Sequence, residues 1–239
     1  ADATLSPLTF SKISPFTLGA DDAVFAPAGG TISVAAARNI GGGSRLQASS
    51  GLFNAGALAG AGQATSAINV LTNMGRLSAT APGSISLSNS NSLELAAIKT
   101  SVAGGITASA DGTLNVRSVA TAASPTVPGG ITLTSVYGDL VAGVISSQGG
   151  DINLKSVLYD VVLAAASDVS TTGTVLLTAD SGVIRASGSI RALGDSGAIT
   201  FSTVNGDIEI NTTASITAED LLRVFVPSGA LTVNGNPEI

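Results

Sequence analysis

Histidine, cysteine and tryptophan are absent from this 239-residue chain, aromatic residues make up 3% of it, and charged residues only 11%. Each shortage removes a class of chemistry. Without histidine there is no Ser-His-Asp triad, no imidazole general base and no histidine metal ligand. Without cysteine there are no disulfides and no thiolate metal site, so the fold rests on hydrogen bonds and packing alone. The ten Lys and Arg residues, set against sixteen Asp and Glu, are scattered and form no patch able to neutralise a row of phosphates. Nucleic acid is therefore not expected as a partner. No run reaches the roughly 18 to 20 apolar residues of a membrane helix, so membrane insertion is not expected either. The N-terminal ADATLSP lacks the basic and then apolar pattern of a signal peptide, and would suit a mature end left after signal cleavage.

What is abundant is small and aliphatic: 44% of residues are hydrophobic and 29 are glycine. A core can be built, but from Ile, Leu, Val and Ala. With Ser, Thr and Asn standing where charges usually stand, much of the surface is expected to be covered by something.

The aliphatic residues repeat. The pattern apolar-x-apolar recurs at Ile85/Leu87, Ile106/Ala108, Ile131/Leu133, Ile152/Leu154, Val175/Leu177, Ile199/Phe201 and Leu222/Val224, in steps of roughly 21 to 25 residues. A second such pair follows each first one by eight residues twice and by nine five times, at Leu93/Leu95, Leu114/Val116, Leu140/Ala142, Val161/Leu163, Ile184/Ala186, Ile208/Ile210 and Leu231/Val233. A looser third position, Ile98, Val119, Ile145, Val169, Ile190 or Ile216, comes next. The residues between the aliphatics are mostly polar, so alternation turns one set inward and the other outward.

Three short strands in each such step, joined by glycine-containing corners, predict an all-β fold. The architecture is a right-handed parallel β-helix, or β-solenoid, in which like strands stack on like. A hairpin meander would leave the long period unexplained. Glycines such as Gly112, Gly138, Gly182 and Gly206 fall at corners, where positive φ or close backbone approach is required. Three regions result: residues 1–30 as a cap or assembly segment, residues 31–82 as irregular coils with a Gly/Ala-rich wide loop or atypical coil over 41–63, and residues 83–239 as regular coils of the same domain. The first region carries Pro7, Pro15, Pro27, Phe10, Phe16 and Phe25, whose bulk would close that end of the stack. At the other end LLRVFVPSGALTVNGNPEI shows no cap, as expected either at a boundary inside a longer repeat protein or at a surface on which another molecule stacks.

The units GGITLTSVYGDLVAGVISSQ, GGDINLKSVLYDVVLAA and GAITFSTVNGDIEINTTASITA, with GGTISVAAARNIGGGSRLQA upstream, resemble the β-helical repeats of filamentous-haemagglutinin-type adhesins and autotransporter passengers. The resemblance spans roughly residues 30 to 235 and lies in repeat style, not in a catalytic motif. It implies export from a Gram-negative bacterium, an extracellular or cell-surface location, and a structural or adhesive role.

Chemistry has few candidates. Asp139 and Asp160 occupy the same corner of neighbouring coils, with Arg185 on the next; stacked carboxylates could hold calcium or raise one another's pKa. A solenoid polysaccharide lyase, which needs no histidine, is the enzymatic alternative. Asp207 repeats the Gly-Asp corner, and aspartate favours turns for local reasons, so a structural corner is the preferred interpretation. No catalytic, cofactor-binding or metal-binding residue is assigned, and the protein is expected not to be an enzyme.

Tyr137 and Tyr159 lie close together on adjacent coils and would serve as a corner stack or a shallow saccharide platform. Outward Ser86, Thr107 and Thr132 suggest an ice-binding ladder, which Asn153 and Leu176 interrupt. The apolar outward residues Val141, Val162 and Leu176 on consecutive coils mark an interaction surface, with the two tyrosines beside it. End-to-end assembly is expected to use Phe10, Phe16 and Phe25 at one end and Leu222, Val224, Leu231 and Val233 at the other. The partner is then the protein itself, as a filament, sheath or surface layer, or else a surface glycan or another cell-surface protein; a fragment of a large secreted adhesin is the further alternative.

Overall fold

A computed structural model describes residues 8–12, 16–18, 24–25, 30–36, 39–56, 66–122 and 128–238, with side chains from residue 30 onward except Ser44. Among these residues there are twenty-three strands and no helix, and every strand pairing is parallel. The architecture is a β-solenoid.

Its first face is a single file of ten strands. Register places Phe16, Ile40, Ile68, Ile85, Ile106, Ile131, Ile152, Val175, Ile199 and Leu222 in one column. From Ile40 to Ile199 these side chains are no more than 1% exposed. β-Branched residues favour the extended backbone and pack well on a pleated surface, so stacking them coil on coil fills the interior without bulky aromatics. The second face repeats the device with Leu93, Leu114, Leu140, Val161, Ile184, Ile208 and Leu231 in equivalent positions, and the third with Ile98, Val119, Ile145, Val169, Ile190 and Ile216. Each fully buried Val, Leu or Ile contributes about 1.5–3 kcal/mol by leaving water.

The corners hold a second set of inward residues, and these are polar. Ser135, Ser156 and Thr203 end first-face strands and are 0% exposed. Ser135 Oγ shares its proton between Gly112 O at 2.7 Å and Gly138 O at 2.6 Å, Ser156 Oγ donates to Gly138 O at 3.0 Å, and Thr203 Oγ1 donates to Gly206 O at 2.8 Å. The corner after the third face is built alike: Ser147 Oγ meets Gly129 O and Gly150 O, and Thr171 Oγ1 donates to Gly150 O. Corner carbonyls turned into the core would otherwise lie unsatisfied, at a cost of about 1–3 kcal/mol each. At one early corner Asn89 takes this part alone. Its Oδ1 accepts from Thr72 Oγ1 and Met74 N, while its Nδ2 donates to Asn91 O and Ser92 O.

The glycine column at the corner after the first face answers to crowding. A Cβ on Gly206 would run into Gly182 O, so at that position the coils approach too closely for a side chain, although Tyr159 is accommodated in the same column. Gly149 is the other kind, with φ 111° and open space around it.

The N-terminal portion departs from the expected outline. Leu8–Lys12, Phe16–Leu18 and Val24–Phe25 are strands in register with the coil above, through Leu8↔Ile32, Phe16↔Ile40 and Val24↔Leu46. Pro7, Pro15 and Pro27 lie outside the described residues. The Gly/Ala-rich stretch is not a loop as far as Ala55: Ile40–Ala55 is one strand of 16 residues running along all three faces, and Ile68–Ala81 does the same in 14. Small residues let the chain bend at the corners without breaking its pairing. Residues 57–65 lie outside the described set.

Candidate functional site

The stacked aspartates are best understood through their hydrogen bonds. Asp139 Oδ1 accepts from Asp160 N at 3.1 Å, and Asp160 Oδ1 accepts from Val183 N at 2.8 Å. At the equivalent corner Asp207 Oδ1 accepts from Ala230 N at 2.7 Å, and Ser92 Oγ takes the same place for Thr113 N. Asp151 does so at another corner, for Thr174 N at 2.8 Å. Each side chain holds an amide of the following coil, 21 or 23 residues on, so these corner residues tie coil to coil and do not merely shape their own turn.

The remaining oxygen of Asp160 pairs with Arg185, whose Nε also reaches Glu209 Oε2 at 3.1 Å. Hydrogen bonding to Asp160 raises the Arg185 guanidinium above its ordinary value; burial opposes this, and the charges of Asp160 and Glu209 add to it. The three residues clamp three successive coils together. Similar cross-coil pairs join Lys155 to Asp180 and Arg191 to Asp168. Among the described residues no three His, Cys, Asp or Glu side chains gather as a metal site would require.

The apolar surface residues fall into two places. Val141 and Val162 are register partners, pointing outward on the second face and both half-buried. Leu176 is separate: it sits on the first face between Asn153 and Thr200, so the three residues do not form one surface. A period-two pattern tells inside from outside but not which outer face a residue occupies. Tyr137 and Tyr159 are exposed at the corner leading to Val141 and Val162, at 66% and 52%. They are not stacked column-mates. Counting back along equal corners from Leu140↔Val161 aligns Tyr137 with Leu158 and Tyr159 with Gly138. Leu158, 44% exposed, thus completes an apolar ridge over two coils that the sequence pattern did not single out. Aligning corner lengths would have found it.

The first-face ladder Ser86, Thr107, Thr132 is interrupted at Asn153 and Leu176 in the register itself. Two shallow depressions flank Gly149. One, of about 460 Å³, lies against Ser146, Gln148, Ser170, Thr172 and Leu193; the other, of about 530 Å³, lies against Pro128, Thr132, Asp151 and Asn153.

The last coil is open. Ile208 and Ile210 below it are 0% and 2% exposed, whereas Leu231 and Val233, in the same columns, are 49% and 47% exposed. Leu222 and Val224 are half-buried. Leu221 and Phe225, at 49% and 55%, alternate with them on the outer side of the same strand and were not anticipated. Phe10, Phe16 and Phe25 belong to the three strands of the first coil. The two predicted assembly groups therefore lie on opposite ends of the stack.

Comparison with protein-family models, curated proteins and solved structures finds no match to this chain.

Proposed function

We propose that this protein is an exported structural and interaction protein, a stiff solenoid that assembles with its own kind into a filament, sheath or surface layer outside the cell. The unbroken stacking of like strands carries this reading: with only 11% charged residues in the chain, the outer sides of the file are left to Ser, Thr, Asn and aliphatic residues such as Leu176, which packing against other copies would cover. The carboxylates that suggested a lyase each serve an amide of the next coil, which favours a structural use of that corner. Extracellular location and a Gram-negative source follow from the repeat style shared with filamentous-haemagglutinin-type proteins.

Light scattering and electron microscopy over a concentration series test the assignment. Elongated particles that lengthen with concentration are expected; a monodisperse monomer at every concentration overturns it.

A second use, adhesion to a surface glycan or cell-surface protein, is favoured by the ridge of Tyr137, Leu158 and Tyr159 with Val141 and Val162 beside it. Retention of labelled protein on intact cells should fall at least tenfold in the double variant Tyr137→Ser, Tyr159→Ser. Unchanged retention removes the ridge from consideration.

A further inference from the structure

Resting on the assembly reading, we infer that two copies of this chain meet through their first faces, sheet against sheet, with the rods running in opposite directions. The shortage of charge is not shared evenly among the faces. The second face turns Glu94, Arg185 and Glu209 outward, and the third turns Lys99, Asp168 and Arg191 outward. On the first face, from Asn69 to Phe225, every outward position holds Ser, Thr or Asn except Leu71, Lys155, Leu176, Arg223 and Phe225. Lys155 Nζ is held by Asp180 Oδ2 at 2.8 Å. This face is also the regular one. Its eight strands over that range stack without a register shift, whereas the corner joining the other two faces shifts at Leu77/Ser78 and at Ala142/Val144.

Rows of small side chains about 4.8 Å apart interdigitate with rows of the same spacing, which a second copy supplies. The area is sufficient. Eight strands at about 4.8 Å, each of five residues at about 3.3 Å, cover about 38 Å by 16 Å, or about 1,200 Å² over both copies, the lower end of the range for specific interfaces.

The ends of the face select the arrangement. Leu71 and Phe225 stand in one outward column, Asn69 and Arg223 in the other. A two-fold axis along the strands, between Ile131–Ser135 and Ile152–Ser156, lays Leu71 of each copy on Phe225 of the other and Asn69 on Arg223. Leu176 then covers Thr107, Lys155 faces Thr134, and the remaining pairs join Ser, Thr and Asn. Parallel rods would exchange the columns, setting Leu71 on Asn69 and Phe225 on Arg223, with both apolar side chains against polar ones. The antiparallel contact is isologous, so it closes at two copies and makes the paired rod the unit of assembly.

The geometry is measurable with single nitroxide labels on Thr132→Cys and on Ser86→Cys, since the native chain has no cysteine. Across sheets about 10 Å apart, the Thr132 positions of the two copies are offset by one strand and the Ser86 positions by five, giving backbone separations of about 11 Å and about 26 Å. Parallel rods would give about 12 Å at both. Dipolar spectroscopy on samples that sedimentation shows to be paired should return the unequal distances. Thr107→Glu combined with Thr200→Glu buries carboxylates without a counter-charge and should weaken association at least tenfold, while Ser118→Glu combined with Ser189→Glu, on the third face, should leave it within about twofold. Equal short distances overturn the antiparallel pair. Pairs without dipolar coupling at either site, or association that survives the first-face charges, overturn the use of this face; all these outcomes leave assembly standing. Unlabelled protein that stays monomeric at every concentration, including a monomer that adsorbs to ice and shows thermal hysteresis, overturns both.

Discussion

Replacing Asp160 by alanine and by asparagine separates two jobs that one carboxylate performs. Its Oδ1 accepts from Val183 N at 2.8 Å, and its Oδ2 pairs with Arg185, the two side chains being 24% and 40% exposed. Asparagine keeps an oxygen where Oδ1 stands and loses only the charge. An ion pair this open to solvent is worth about 0.5–1 kcal/mol, and Asp160→Asn should cost no more than that. Alanine also strips the acceptor from a partly buried amide, which adds about 1 kcal/mol or somewhat more. Asp160→Ala should therefore destabilise by about 1.5–2.5 kcal/mol. Guanidinium chloride unfolding measures the difference as a shift in midpoint at unchanged slope. Equal losses in the two variants would mean that charge, not corner bonding, gives Asp160 its role. An alanine variant as stable as the parent would refute the whole account of the corner.

Leu154→Ala removes a fully buried side chain between Leu133 and Leu177 and should cost about 3–4 kcal/mol, while Val233→Ala at the open end should cost under about 1, both by denaturant unfolding. Asn89→Ala leaves the Met74 amide and two corner carbonyls unserved inside the stack; a loss of about 2–4 kcal/mol is expected, with hydrogen exchange rising first at Met74. The two kinds of glycine should respond differently to alanine. Gly149→Ala carries only the strain of its backbone, about 1 kcal/mol, and Gly206→Ala must push coils apart for about 2–3 kcal/mol, which calorimetry resolves as unequal falls in Tm.

The regular coils were legible because their columns are a property of spacing. Ile85, Ile106, Ile131 and Ile152 recur at a nearly even step in sequence and stand side by side in register. Two things hid the early coils. The step from Ile40 to Ile68 is longer than any in the regular coils and the next, to Ile85, is shorter than any of them. The long strands there also pass through corners without the turn residues that mark them later. The inward hydroxyls were hidden for another reason. Alternation assigns polar residues to the outside, whereas Ser135 and Ser156 point inward to satisfy carbonyls that only the folded corner creates. At the candidate site, the placement of Asp139 and Asp160 on one corner was legible, and so was the division between the two ends. The ridge was only partly so, because Leu158 belongs to it through corner alignment and Leu176 does not belong to it at all.

The side-chain bonds at the corners give the rod a direction. Asp139 serves Asp160, Asp160 serves Val183, Asp151 serves Thr174 and Asp207 serves Ala230, so at each of these aspartates the acceptor lies one coil nearer the N-terminus than the amide it holds; Asn89, which accepts from Met74 N, runs the other way. The hydroxyls of Ser156 and Thr171 likewise reach back, to Gly138 and Gly150. A chain that leaves the ribosome N-terminus first therefore offers each new coil of this kind a carboxylate already in place to receive its corner amide.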